Sequence, residues 1–207
     1  LSSVYTPGST FKVVTTEAAL DLLDDIEKRT FVCTGSMDIG DTIVTCPSVH
    51  GEMSLSDAFA KSCNCAYAEM SLELGVDAIE GYAEKAGLLE THDVDGITTA
   101  AGSFERAEDD GDLAWSGIGQ YNDLVNPCAM LRYMGAIANR GVPTEPRLIS
   151  KLTTHGGIPA GVYFSSKGER IMSESMAEQL SEMMRYNVTY GYGQGGYPGL
   201  EICAKSG

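Results

Sequence analysis

Ser9 and Lys12 put a hydroxyl and an amine three residues apart near the start of the chain. An aliphatic hydroxyl is a weak nucleophile until a base takes its proton. A lysine can be that base when burial and nearby cations lower its pKa. Pro7-Gly8 reads as a turn, and Phe11, Val13, Val14, Ala18, Ala19 and Leu22 recur at helical spacing after it. The expectation is a helix over 9–23 with Ser9 and Lys12 on one face, Cβ atoms about 5–6 Å apart. A helix start also favours the negative charge that develops on an attacked oxygen. Two further polar clusters follow in order, Ser62-x-Asn64 and Lys205-Ser206-Gly207. Singly, each motif is weak. Ser-x-x-Lys occurs at many solvated helix starts, Ser-x-Asn is a common cap or turn, and Lys-Ser-Gly says little. Their order, and the apolar run before the last one, carry the information.

The elements that must position these groups are readable in outline. Residues 31–46 read as a hairpin turning at Gly40-Asp41, bracketed by Cys33 and Cys46. A disulfide closing that loop would contribute about 3 kcal/mol in an oxidising compartment; the alternative is two small buried hydrophobes. A short helix over 55–61, capped by Ser54 or Ser56, runs into Ser62-Cys63-Asn64. Helices are expected over 65–74, stopped by Gly75, and over 76–86. Residues 88–112 read as acidic loop. Pro127 suits the first position of a helix over 128–139, and 173–186 is strongly amphipathic. Short strands are expected over 148–153 and 162–164, a loop over 189–199, and a strand over 200–204 that delivers Lys205-Ser206-Gly207.

A chain of 207 residues, 43% of them hydrophobic, is one ordinary domain. It can bury roughly 70% of its unfolded surface without staples. The net charge of −15, from 29 acidic and 14 basic residues, excludes a basic nucleic-acid surface and docking to anionic lipid. A self-repelling, soluble surface follows. No apolar run is long enough to span a bilayer, and neither an initiator Met nor a signal peptide is present. Leu1 opens almost on the first helix and Gly207 closes on a motif, so both ends read as cut from something longer.

Other readings are weaker. Glu105, Glu108, Asp109, Asp110 and Asp112 could gather a metal, but a solvated acidic loop explains them more simply. Cys63, Cys65 and His50 could hold zinc, but Cys-x-Cys spacing is poor for a tetrahedral site; packed small residues are preferred. His92 and His155 read as exposed loop residues. The stretch from Gly199 to Ser206 approaches a phosphate-binding loop, but Ala204 stands where glycine is required and no helix follows Lys205.

Taken together, Tyr5-Thr6-Pro7-Gly8-Ser9-Thr10-Phe11-Lys12, Cys33-Thr34-Gly35, His50-Gly51, Ala60-Lys61-Ser62-Cys63-Asn64, Gly117-Ile118-Gly119-Gln120 and Ala138-Asn139-Arg140-Gly141-Val142 resemble the transpeptidase domain of penicillin-binding proteins. The likeness is to the monofunctional high-molecular-weight class and runs through nearly the whole chain, 1–207. It implies an α/β (α+β) fold of the β-lactamase/transpeptidase type, a helical lobe packed on an antiparallel sheet. Here that fold would be helix-rich with an incomplete sheet, truncated at both ends.

The resemblance also implies a set of roles. Ser9 would attack the penultimate D-Ala carbonyl of a peptidoglycan stem peptide, with Lys12 as base and Ser62 as proton relay. Asn64 would hold the substrate amide, Lys205 and Ser206 the terminal carboxylate, and Gly207 would leave room along the strand edge. β-Lactams would acylate Ser9. No cofactor and no metal are implied. The partners would be D-Ala-D-Ala stem peptides, β-lactams and, through parts outside this chain, a cell-wall synthesis complex. The location would be the extracytoplasmic face of a bacterial plasma membrane, with an anchor outside this chain.

Ser206 stands where the family more often has threonine, and Asn126 where it usually has threonine before Pro127. In the family, the residue after the third motif donates an oxyanion-hole N–H, and losing one such donor lowers rates about 10²–10³-fold. Poor acylation of the isolated chain is therefore expected. Rivals within the superfamily are a β-lactamase, disfavoured because no Glu-x-x-Leu-Asn pattern is present, and a D,D-carboxypeptidase, which shares the first half-reaction. A β-lactam sensor is a rival of a different class, a binding module that is acylated and signals.

Overall fold

The helix that starts at Lys12 has no solvent face over most of its length, and the rest of the chain is arranged around it. In the computed structural model, which describes residues 1–161, 166–193 and 199–207, the helices in chain order are α1 (Lys12–Leu22), α2 (Leu55–Ala60), α3 (Asn64–Leu74), α4 (Val76–Lys85), α5 (Asp110–Ile118), α6 (Pro127–Ala138) and α7 (Glu174–Tyr186). Val13, Val14, Ala18 and Ala19 are buried in α1, and so are Lys12, Thr15, Thr16 and Glu17. A helix buried on all sides belongs at the centre, and α1 packs against α3, α4, α5 and α7. Its buried polar groups find partners across the core. Thr15 Oγ1 donates to the Gly117 carbonyl at 2.6 Å, and Glu17 accepts from the Tyr133 hydroxyl at 2.8 Å.

Side-chain caps set several helix starts. Ser54 accepts from the Asp57 N–H ahead of α2, Asp109 from the Asp112 N–H ahead of α5, and Ser173 from the Met176 N–H ahead of α7. The acidic loop thus serves α5 as a cap. Asn126 accepts from the Cys128 N–H, and its amide donates to the carbonyls of Leu1 and Ser3 at 2.7 and 2.9 Å. This gives a structural reason for an asparagine before Pro127.

Among the described residues the strands form three two-stranded antiparallel pairs. Strand β1 (Phe31–Cys33) pairs with β4 (Gly51–Met53), β2 (Ser36–Ile39) with β3 (Thr42–Thr45), and β5 (Asp93–Val94) with β6 (Ile97–Thr98). The helix-rich reading with an incomplete sheet holds, and the Gly40-Asp41 turn is where the spacing put it.

Other expectations are corrected. Ser9 lies in a 3₁₀ turn, Gly8–Thr10, just ahead of α1 rather than inside an α-helix. The hairpin is confined to β2 and β3, while Phe31–Cys33 turns away to pair with Gly51–Met53. No strand forms over 148–153: the N–H groups of Leu148 and Ile149 go to the Asp95 carboxylate, and Thr153 only bridges Pro159. The expected strand over 162–164 lies outside the described residues.

Residues 200–204 do not form a strand either, because among the described residues no strand lies beside them to share a ladder. The segment leans instead on α7 and the π-helical turn Asn187–Gly193 that follows it. The Ala204 N–H reaches the Met184 carbonyl at 3.4 Å, and the Ala204 carbonyl accepts from Asn187 Nδ2 at 2.7 Å. His92 is buried, not exposed, with Nε2 2.7 Å from the Gly87 carbonyl. No helix among the described residues is long and apolar enough to cross a membrane.

Candidate active site

The site is assembled from four separate stretches of chain. The first is the 3₁₀ turn carrying Ser9, which is held from behind by the 117–120 segment. The Gly8 N–H donates to the Gly119 carbonyl at 2.8 Å, and a Cβ on Gly119 would stand 2.3 Å from the Gly8 carbonyl. Gly119 also has φ +84, a conformation L-residues avoid. These two contacts explain why glycine stands at Gly119. Ser9 is half-buried, and among the described residues its hydroxyl has no hydrogen-bond partner.

The second stretch is the first turn of α1. Lys12 is fully buried, and its Nζ donates to the Ser62 carbonyl at 2.7 Å, to Ser62 Oγ at 3.2 Å and to Asn64 Oδ1 at 2.6 Å. It also lies 5.1 Å from the centroid of the Tyr67 ring. Burial, and after it the Lys205 cation, bring its pKa down to about 7, against an opposing pull from Cys63, Cys46 and Cys65. An amine with that pKa is part neutral at neutral pH and can accept a proton.

The third stretch joins α2 to α3. Ser62 has φ +52, in the left-handed region that a serine seldom occupies. Such a conformation costs of order 1–3 kcal/mol and persists only where surrounding contacts fix it. Here it directs Ser62 Oγ between two amines. Asn64 opens α3, and its amide nitrogen donates to the Thr45 carbonyl at 2.7 Å, which fixes the orientation of Oδ1 toward Lys12.

The fourth stretch is 205–207. Lys205 Nζ donates to Ser62 Oγ at 3.0 Å and to the Ser206 carbonyl at 2.9 Å, and burial lowers its pKa to about 8. A Cβ on Gly207 would come within 2.7 Å of the Thr10 nitrogen and 2.9 Å of the Pro7 carbonyl, so this glycine lies directly on the Ser9 turn. A cleft of ≈ 500 Å³ opens beside Thr10 and Lys205, walled by Met130, Met134 and Met184.

Lys12, Ser62, Asn64 and Lys205 are therefore joined through hydrogen bonds, and Gly207 lies against the turn that carries Ser9. Tyr192 was not legible in the sequence as part of the site. Its hydroxyl donates to Ser206 Oγ at 2.6 Å and accepts from the Ser206 N–H at 3.0 Å. The only hint was a loop rich in glycine and tyrosine. The six cysteines are free thiols, so Cys33 and Cys46 are not joined. Cys46 Sγ lies 3.7 Å from that of Cys63 and 3.6 Å from that of Cys65.

Residues 1–207 match the family described as penicillin binding protein transpeptidase domain. The chain is 29% identical over 221 residues to peptidoglycan D,D-transpeptidase PbpA of Mycobacterium tuberculosis, covering 100% of this chain and 43% of that protein. It is 28% identical over 211 residues to the probable peptidoglycan D,D-transpeptidase FtsI of Caulobacter vibrioides, covering 100% of this chain and 34% of the relative. It thus spans less than half the length of these curated relatives. Among solved structures, the ceftriaxone acyl-enzyme of penicillin-binding protein A from M. tuberculosis superposes with a TM-score of 0.89 at 27% identity, covering 100% of this chain and 48% of that one. The D,D-transpeptidase domain of a peptidoglycan glycosyltransferase from Eggerthella lenta gives 0.85 at 26% identity, covering 99% and 54%. With Lys12, Ser62, Asn64 and Lys205 joined by hydrogen bonds and the family matched from end to end, the chain belongs to the penicillin-binding-protein transpeptidase domains.

Proposed function

We propose that this domain is the catalytic part of a serine D,D-transpeptidase that cross-links peptidoglycan stem peptides and is acylated by β-lactams. The observation that carries the reading is the pair of amines, buried Lys12 and half-buried Lys205, meeting at Ser62 Oγ beside the Ser9 turn. In acylation, Ser9 Oγ bonds to the penultimate D-Ala carbonyl carbon as its proton passes to neutral Lys12. The C–N bond to the terminal D-Ala then breaks, and the proton travels from Lys12 through Ser62 to the leaving amine. In the second half-reaction an amine from a neighbouring stem attacks the ester. It gives its proton back along the same path, and Ser9 leaves as the hydroxyl. Positioned proton transfer of this kind contributes typically ~10²–10⁴-fold.

Substrate binding follows from the same groups. Lys205 offers a cation and Ser206 a hydroxyl to the terminal carboxylate, and Asn64 an amide to the peptide. Gly207, without a side chain, lets the peptide run close to the Ser9 turn. The activity of the relatives named above supports this reading, and the acyl-enzyme complexes of penicillin-binding protein A with ceftriaxone and penicillin G support β-lactams as ligands. An extracytoplasmic location, an anchor outside this chain and membership of a cell-wall complex belong to the same reading, since the substrate is cell-wall peptide.

Incubation with a peptide ending in D-Ala-D-Ala and an amine acceptor tests the reading. Release of D-Ala together with a new peptide–amine product is expected. D-Ala release with hydrolysis alone would make the enzyme a carboxypeptidase. Fast turnover of benzylpenicillin would make it a β-lactamase, and stoichiometric acylation without peptide turnover would make it a sensor.

A further inference from the structure

Four side chains that the acyl-transfer chemistry does not use meet beside it. Cys33 ends β1, Cys46 follows β3, His50 precedes β4, and Cys63 sits between Ser62 and Asn64. One ligand atom from each lies within 4.8 Å of all the others. We infer that Cys33, Cys46, His50 and Cys63 form a closed tetrahedral zinc(II) site that fixes the Ser62–Asn64 loop.

The chemistry of the donor set fits that ion. Three thiols and an imidazole are a known ligand set of structural zinc, and thiolates select soft or borderline cations. The spacing fits as well. The 3.7 Å between Cys46 Sγ and Cys63 Sγ is far beyond a disulfide bond of about 2.05 Å. Two thiolates on one tetrahedral zinc, with bonds of about 2.3 Å, stand roughly 3.8 Å apart.

A second observation is independent of the sulfurs. His50 Nδ1 is buried and, among the described residues, without a hydrogen-bond partner. An unsatisfied buried nitrogen is costly, and a metal ion would take up its lone pair. Outer-shell support is also in place: Cys46 Sγ accepts the backbone N–H groups of Asn64 at 3.1 Å and Cys65 at 3.4 Å. Such donors orient and stabilise a metal-bound thiolate. Cys65 thus contributes its backbone, and its thiol stays outside the mutual cluster.

With four protein ligands the ion would have no open position, so its role is to position and not to react. Cys63 is flanked by the two residues that hold Lys12, and its neighbour Ser62 carries the strained φ of +52. A bond from the ion to Cys63 Sγ pins that backbone. The sequence reading had set aside zinc because it considered Cys63 with Cys65; the geometry selects Cys33 and Cys46 in place of Cys65.

The test is metal content and cobalt(II) spectroscopy of the protein, prepared without a histidine tag, under reductant and free of chelator. One zinc per chain is expected by elemental mass spectrometry. The metal-stripped wild type should take up one equivalent of cobalt(II) with thiolate charge-transfer and tetrahedral d–d bands, a readout that needs no variant. Cys46→Ser and His50→Ala should each weaken zinc binding by more than the roughly 10–100-fold that loss of an outer-shell partner gives, while Cys65→Ser should leave one zinc bound. Zinc should raise the thermal midpoint of the stripped wild type and not that of Cys46→Ser.

Background zinc with no cobalt spectrum would overturn the proposal. So would a disulfide among Cys33, Cys46 and Cys63 in the untreated protein, or zinc binding that follows Cys65 and ignores His50. None of these readouts uses a β-lactam or a peptide, so their failure is separable from failure of the transpeptidase reading.

Discussion

Lys12 lies in the core with no exposed surface, and its burial sets what it can do. Its pKa of about 7 means that the amine becomes available as pH rises through that value. The rate of acylation by benzylpenicillin should therefore climb with pH through about 7, since the protonated amine cannot take the Ser9 proton, and fall again above about 8, where Lys205 loses the charge that holds the carboxylate. A stopped-flow pH profile checks this. Lys205 is the second-largest cause lowering Lys12. Lys205→Met should move the inflection upward, though not to the ordinary lysine value, because the larger cause, burial, remains. Lys12→Met keeps the volume and removes the base, and acylation should fall ~10²–10⁴-fold with the melting temperature little changed.

Serine, lysine and asparagine at these positions were legible because the three motifs occur in order. The role of Tyr192 was not, since nothing in a Gly/Tyr-rich loop says where its hydroxyl will land. His92 was misjudged because a loop position suggests exposure. Yet its ring closes onto the Gly87 carbonyl, and its own N–H is held by Thr99.

Helices, with local hydrogen bonds, were largely legible from periodicity and caps; strands, whose partners lie elsewhere in the chain, were less so. The 200–204 segment has strand-like composition, but a strand is defined by a neighbour, and its polar groups go to α7 instead. The 31–46 stretch was half right for the same reason: the turn at Gly40-Asp41 is local, whereas Phe31–Cys33 pairs at longer range with Gly51–Met53.

Two element-scale substitutions separate site geometry from stability. Gly119→Ala places a methyl 2.3 Å from the Gly8 carbonyl in a backbone with φ +84, so the Ser9 turn must shift. It should destabilise by about 1–3 kcal/mol and slow acylation as well. Gly135→Ala in α6 has nothing within 4 Å of the new methyl and should stabilise by about 0.5–1 kcal/mol without touching the rate. Asn126→Ala removes the α6 cap, leaves the Ser3 carbonyl without the Asn126 amide, and leaves the Leu1 carbonyl only the Ala100 N–H. A loss of about 1–3 kcal/mol in urea unfolding is expected.

Across the whole molecule, charge and chemistry are separated. The chain carries a net −15, while two lysines with lowered pKa values, Lys12 buried and Lys205 half-buried, meet at Ser62. A carboxylate ligand thus meets Lys205 at the cleft against the field of a chain whose net charge repels anions. Binding of nucleic acid at physiological salt should be undetectable by electrophoretic shift, as composition alone indicated.

The central claim is that Ser9 is the nucleophile of the site built from Lys12, Ser62 and Lys205. The most direct measurement is intact mass followed by peptide mapping after prolonged incubation with benzylpenicillin. The account predicts one adduct of the full mass of the antibiotic, because opening the lactam ring expels nothing, on the peptide containing Ser9 and absent from Ser9→Ala. An adduct on any other residue, or one that persists in Ser9→Ala, would contradict it.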